Sequence, residues 1–178
     1  MLAVGHSYGG AVITNAVPQT NNVLGLVYVA AFAPDEGEVL GDIAAGSKDS
    51  VLTPALQQLR YPTGDGTETA TELLIDPATF HDVFTADLPR LQSDVLALSQ
   101  RPVAASAFGD KSGPAAWKDL PASAAVGTAD TAAGADAVRS MAERAGADIT
   151  EIDASRVVMI SQPDAVTDVI QRALASVA

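Results

Sequence analysis

The amino-acid sequence predicts an α/β fold with a mostly parallel sheet, and three observations support that class. A short apolar run enters a glycine-flanked turn and is followed by apolar residues at helical spacing. The stretch "VLGLVYVAAF" is apolar without alternation, the pattern of a strand buried on both faces. From residue 122 onward, strand-like and helix-like segments alternate.

Taken in order, residues 1–4 read as the strand and residues 8–17 as the helix after it, ended by Pro18. Asn21 and Asn22 mark a turn before the second central strand. Between residue 34 and about residue 120 the pattern changes to short helical stretches, "TPALQQLR", "PATFHDVFTADL" and "RLQSDVLALSQ", interrupted by "YPTGDGTET" and "GDKSGP". This reads as an inserted helical lid. "ASAAVG" is the next strand, followed by a helix with Val138, Met141, Ala142 and Ala145 on one face and Gly146 as its C-cap. "DITEID" is a short strand. The last helix follows "SQPD", with Ser161 as expected cap, Asp164 in its first turn, and Val166, Val169, Ile170, Ala173, Leu174 and Val177 as its buried stripe. A single domain over residues 1–178 is expected, with core 1–33 and 121–178 and lid 34–120.

Composition narrows the function. Hydrophobic residues make up 48% of the chain, enough for a substantial core, and the net charge is −12. The ten Lys and Arg are scattered singly, so no basic face exists for a nucleic-acid partner. Cysteine is absent, which excludes disulfides, thiolate metal sites and a cysteine nucleophile. No leader pattern and no membrane-length apolar run is present, so a cytoplasmic protein is expected. The two histidines and scattered carboxylates have no metal-ligand spacing, and neither a metal nor a cofactor is expected.

The chemistry concentrates in "LAVGHSYGGAV". Gly5-His6-Ser7-Tyr8-Gly9 is a Gly-x-Ser-x-Gly motif between a strand and a helix, the setting of a nucleophile elbow. Small residues two before and two after the serine let the backbone double back. The turn then projects Ser7, and the N–H of Tyr8 at the helix start can donate to an oxyanion. Alone the motif is weak; its apolar lead and helical tail strengthen it. The spacing fits neither nucleotide-binding glycine pattern, and no lysine lies nearby.

The segments "VGHSYGGAVI", "LVYVAAFAPDEGE", "ADLP", "SQRP", "AWKDLP", "VGTAD", "SMAERAGA" and "VVMISQPDAV" together resemble a small α/β-hydrolase of the branch that includes esterases and plant hydroxynitrile lyases. The resemblance covers nearly the whole chain and implies the order nucleophile, lid, acid, histidine. Ser7 matches the nucleophile and Asp130 of "GTAD" the acid. The histidine position, in the loop before the last helix, is occupied by Arg156 of "ASRVVMISQP". The resemblance also implies that the fold's earlier strands, and a second oxyanion donor, are absent. The first strand is then expected to be an apolar sheet edge that favours self-association.

Arginine stays protonated and has no lone pair to accept a serine proton. It can pair with Asp130 but cannot activate Ser7. His6 is expected to point away from the nucleophile and His81 to lie in the lid, so neither replaces the missing base. The sequence therefore presents a serine esterase-type hydrolase, for a small apolar ester-like ligand, with its base position altered. The alternatives are a non-catalytic fragment or small-ligand-binding protein on the same fold, and an interaction protein that uses its sheet edge.

Overall fold

The computed structural model describes residues 1–178. Strand β1 (Leu2–Ser7) runs directly into helix α1 (Tyr8–Ala16), and a single 3-10 turn containing Pro18 closes that helix, since proline has no N–H to extend it. Strand β2 (Gly25–Ala31) is buried along its whole length, as an unalternating apolar run requires. A long excursion follows: α2 (Leu40–Gly46), β3 (Leu56–Thr63), β4 (Glu68–Ile75), α3 (Phe80–Phe84), α4 (Arg90–Leu98), β5 (Val103–Ala104) and α5 (Ser106–Gly109). The chain then returns through β6 (Ala122–Gly127), α6 (Ala135–Arg144), β7 (Asp148–Ile152), α7 (Val158–Ser161) and α8 (Pro163–Ser176).

The main sheet is parallel in the order β1-β2-β6-β7. Its period-two side-chain alternation builds two cores. Leu26, Tyr28, Ala124 and Val126 face α1 and α6, meeting Ala11, Val138, Met141 and Ala142. Val27, Val29 and Ala125 face the opposite side, meeting Val158 of α7 and Val166, Val169 and Ala173 of α8. Helices thus cover both faces, and the α/β class is as the sequence predicts. β1 forms one edge of this sheet, with Val4 45% exposed.

Gly146 lies one residue beyond the α6 cap, which is Ala145, and adopts φ +62°. Its N–H bonds Glu143 O at 3.0 Å and that of Ala147 bonds Ala142 O at 3.0 Å, a paired arrangement that satisfies the last carbonyls of the helix. Ser161 does not cap α8. It ends α7, Gln162 takes the cap position, and no side chain caps the helix; Pro163 in its first turn removes one of the N–H groups that have no partner within the helix.

The lid departs from an all-helical reading. α3, α4 and α5 are present, but β3 and β4 form an antiparallel hairpin extended by β5 into a second sheet. "TPALQQLR" is a 3-10 turn at Thr53–Ala55 followed by the first half of β3, rather than a helix. Gly64 and Gly66, at φ +53° and +86°, close the turn, and the Thr-rich strand "ETATELLI" pairs with β3 from Leu56 opposite Ile75 to Thr63 opposite Glu68. Cross-strand pairing outweighs the local helical spacing of Leu52, Ala55, Leu56 and Leu59. In "PATFHDVFTADL" only Phe80–Phe84 is helical. The buried Thr85 hydroxyl, bonded to Ser93 Oγ at 2.6 Å, fixes the junction to α4. Ile75, Phe80, Val83 and Ala97 make a small core beneath the lid that reaches Ala132 of the main domain.

Candidate functional site

Ser7 stands at the junction of β1 and α1 with φ 54° and ψ −123°, a conformation that costs a non-glycine residue about 1–3 kcal/mol. Two glycines make this turn sterically feasible. A Cβ on Gly5 would lie 2.5 Å from Gly9 O, and one on Gly10 would lie 2.2 Å from Phe32 O. Gly9, the second small position of the motif, would meet nothing within 4 Å, so close approach to β2 is the work of Gly10 instead.

The neighbouring strand is also deformed. His6 pairs with Val29 and Ser7 with Ala31, which leaves Ala30 as an extra residue at φ 40°. This bulge re-aims the end of β2. Phe32 N–H then donates to Ser7 O at 3.1 Å, and the Phe32 ring lies under the Arg156 guanidinium at 5.3 Å.

Asp130 sits in the loop after β6 and is 1% exposed. Its Oδ1 accepts from the N–H groups of Ala132 and Ala133 at 2.9 and 3.2 Å, which orients the carboxylate. Arg156, in the loop before α7, is also 1% exposed. Arg156 Nη1 donates to Asp130 Oδ2 at 2.7 Å, and Nη2 donates to Ser7 Oγ at 2.7 Å. The guanidinium thus bridges acid and serine. Ser7, Asp130 and Arg156, far apart in sequence, form one continuous hydrogen-bonded chain, with the N–H of Tyr8 beside it at the start of α1.

Neither histidine joins that chain. His6 Nε2 bonds Arg156 O at 3.0 Å, a carbonyl that only accepts, so this nitrogen carries the proton. Burial, and then the Arg156 cation, hold its pKa down to about 4 from the ordinary 6.5. His6 is a neutral strut for the Arg156 loop. His81 Nδ1 faces Asp82 at 3.1 Å and Nε2 faces Leu88 O at 3.2 Å, within the lid. Asp87 ties lid and loop together: its Oδ2 accepts from Ser155 N–H at 3.0 Å, and its Oδ1 accepts from the Ser155 hydroxyl.

The His6 arrangement gives stability a specific pH dependence. The unfolded chain binds a proton at His6 near pH 6.5 and the folded chain only near 4, so stability falls as pH drops through that window and levels off below it. The loss reaches about 3 kcal/mol. Urea unfolding at pH 7 and 4.5 is expected to show this slope in the wild type and a shallower one in His6→Gln.

A cavity of about 320 Å³ opens over Ser7, between the main domain and the lid. Twelve of its sixteen lining residues are hydrophobic, among them Leu56, Ile75, Phe80 and Phe84 from the lid and Phe32 just after β2. No three His, Asp or Glu side chains converge as a metal site would require. The sequence supplied Ser7, Asp130 and Arg156. It did not supply Gly10, the Ala30 bulge or Phe32, whose roles depend on residues remote in sequence.

Comparison with known proteins accords with this fold. A family model described as "Alpha/beta hydrolase family" matches residues 2–169. Among solved structures, a methylesterase from Arabidopsis superposes with a TM-score of 0.75 at 20% identity, covering 98% of this chain and 69% of that one. Polyneuridine aldehyde esterase gives 0.73 at 16% identity, over 97% of this chain and 71% of that one. Tomato methylketone synthase I, solved with 2-tridecanone, gives 0.72 at 17% identity, over 100% of this chain and 72% of that one. At these identities the likeness establishes the fold. A sequence search of curated proteins finds no match.

Proposed function

Because the chain belongs to the alpha/beta hydrolase family, we propose that its cleft takes a small apolar ester-like molecule over Ser7 and that hydrolysis there is held far below the rate of a complete serine–histidine–acid site. One observation carries this reading: Arg156 donates to both Ser7 Oγ and Asp130 Oδ2. The Ser7 hydroxyl accepts a hydrogen bond from a group that never gives up its charge, and its own proton has no protein acceptor as it attacks a carbonyl. The Tyr8 N–H can polarise the carbonyl oxygen, which helps only after the serine has lost its proton. By the arithmetic of other serine hydrolases, loss of the base lowers turnover by roughly four to six orders of magnitude.

The test uses p-nitrophenyl acetate and a fluorophosphonate probe. Wild type and Ser7→Ala are expected to show the same slow hydrolysis and equally weak labelling. Rapid turnover that disappears in Ser7→Ala overturns the proposal.

A second reading, ligand binding without turnover, is favoured by the apolar lining of the cavity. The relative solved with 2-tridecanone has an apolar molecule bound on the same fold. No helix is long and apolar enough to cross a membrane, and the reading includes a cytoplasmic location. It also includes self-association along β1, where the sheet edge and Val4 lie open. Light scattering is expected to give a mass above that of one chain, and a monodisperse monomer would overturn that part.

A further inference from the structure

The polar wall of the cavity is cationic although the chain is strongly acidic, and we propose that the cleft selects amphiphilic carboxylates, an apolar chain ending in –COO⁻, over the corresponding neutral esters. This deepens the reading above and rests on the cleft holding an apolar molecule at Ser7.

The chain has 22 acidic and ten basic residues, yet the charged residues lining the cavity are Arg101 and Arg156, with no Asp or Glu among them. The remaining polar lining is largely committed. Gln100 Nε2 donates to Ile75 O and Ala97 O at 2.9 Å each, and its Oε1 accepts from Ile75 N–H at 3.0 Å. Arg156 is buried and spends one N–H on Asp130 and one on Ser7, so the Ser7 hydroxyl accepts from it and keeps its own proton to donate into the cavity. Arg101 is exposed at the rim and belongs to none of the ion pairs of the protein.

The two arginines contribute differently. Asp130 balances the charge of Arg156, so Arg156 acts through the Ser7 hydroxyl, which it polarises and which supplies the directed hydrogen bond. Arg101 supplies the unbalanced positive charge. A carboxylate gains from both, because charge-assisted hydrogen bonds strengthen beside apolar walls that exclude water. An ester offers weaker acceptors and no charge. A guanidinium fixed between serine and aspartate also reproduces the charge pattern of an imidazolium that has already taken the serine proton, a pattern complementary to a negative oxygen.

Isothermal titration calorimetry with decanoate and methyl decanoate, each below its aggregation threshold, tests the proposal. Decanoate is expected to bind about tenfold more tightly than the ester. Arg101→Gln, an exposed position whose change spares the fold, is expected to close most of that gap by weakening decanoate. Raising the salt concentration should have the same effect. Equal affinities, or a preference indifferent to both Arg101→Gln and salt, overturn the carboxylate proposal while leaving the cleft as an apolar binding site. Failure of both ligands to bind overturns the cleft reading and this one together. Ser7-dependent cleavage of methyl decanoate overturns the slow-hydrolysis reading alone, and the same comparison in Ser7→Ala then decides the carboxylate preference.

Discussion

Arg156→His is expected to hydrolyse p-nitrophenyl acetate about 10²–10⁴-fold faster than the wild type, the proton-transfer share of what the missing base costs, and the gain vanishes when Ser7→Ala is added. The expectation follows from what the guanidinium spans. Its two terminal nitrogens reach Asp130 and Ser7 at 2.7 Å each, so an acid and a serine flank this position as they would flank the two ring nitrogens of an imidazole. Asp130 is already oriented by the Ala132 and Ala133 N–H groups, so it can accept from the near ring nitrogen and fix the tautomer that leaves the far nitrogen free to accept from Ser7. The rate should rise with pH through the titration of the new histidine. Steady-state kinetics and fluorophosphonate labelling of wild type, Arg156→His and the double variant make the measurement. Unchanged turnover in a folded Arg156→His would show that more than a proton acceptor is missing.

Arg156→Leu is expected to destabilise the protein by about 3–5 kcal/mol, because it strands the Asp130 carboxylate in the interior without its cation. Both partners are 1% exposed, so water cannot replace the lost bond. The same change removes the hydrogen bond to Ser7 Oγ and the contact with the Phe32 ring. Adding Asp130→Asn is expected to restore a large part of the loss, since an amide can still accept from the Ala132 and Ala133 N–H groups without a buried charge. Chemical denaturation of the four proteins in this cycle gives the coupling directly. A loss below about 1 kcal/mol in Arg156→Leu would mean that the pair is worth little more than an exposed one.

Much of this site was legible because its signals are local. Gly5 and Ser7 sit in one motif between an apolar strand and a helix, and "GTAD" follows an unmistakable strand. Arg156 stood out because its position is defined by "VVMISQP" beside it. Other features depend on pairings remote in sequence. The β3–β4 hairpin forms because residues 56–63 find residues 68–75, and the apolar spacing of "TPALQQLR" is ambiguous until they do. The Ala30 bulge lies inside a run that reads as an uninterrupted strand, because a register shift against β1 leaves no trace in composition. Gly10, rather than Gly9, is the glycine that α1 needs against β2, since only the packed structure shows which one meets Phe32. Ser161 looked like a cap because serine commonly is one, but the α8 start lies one residue later, at Pro163 with Gln162 as its cap, which removed that role.

The bonds from Asp87 to Ser155 make the lid mechanically continuous with the residue next to Arg156. Raising the lid to admit a molecule must therefore either drag the 155–156 segment along or first snap the hydrogen bonds that hold Ser155 to Asp87 and to Phe84 O. Entry to the cleft and the stance of the cation inside it are consequently one movement, and a change made at Asp87, outside the cavity lining, will be felt at the serine.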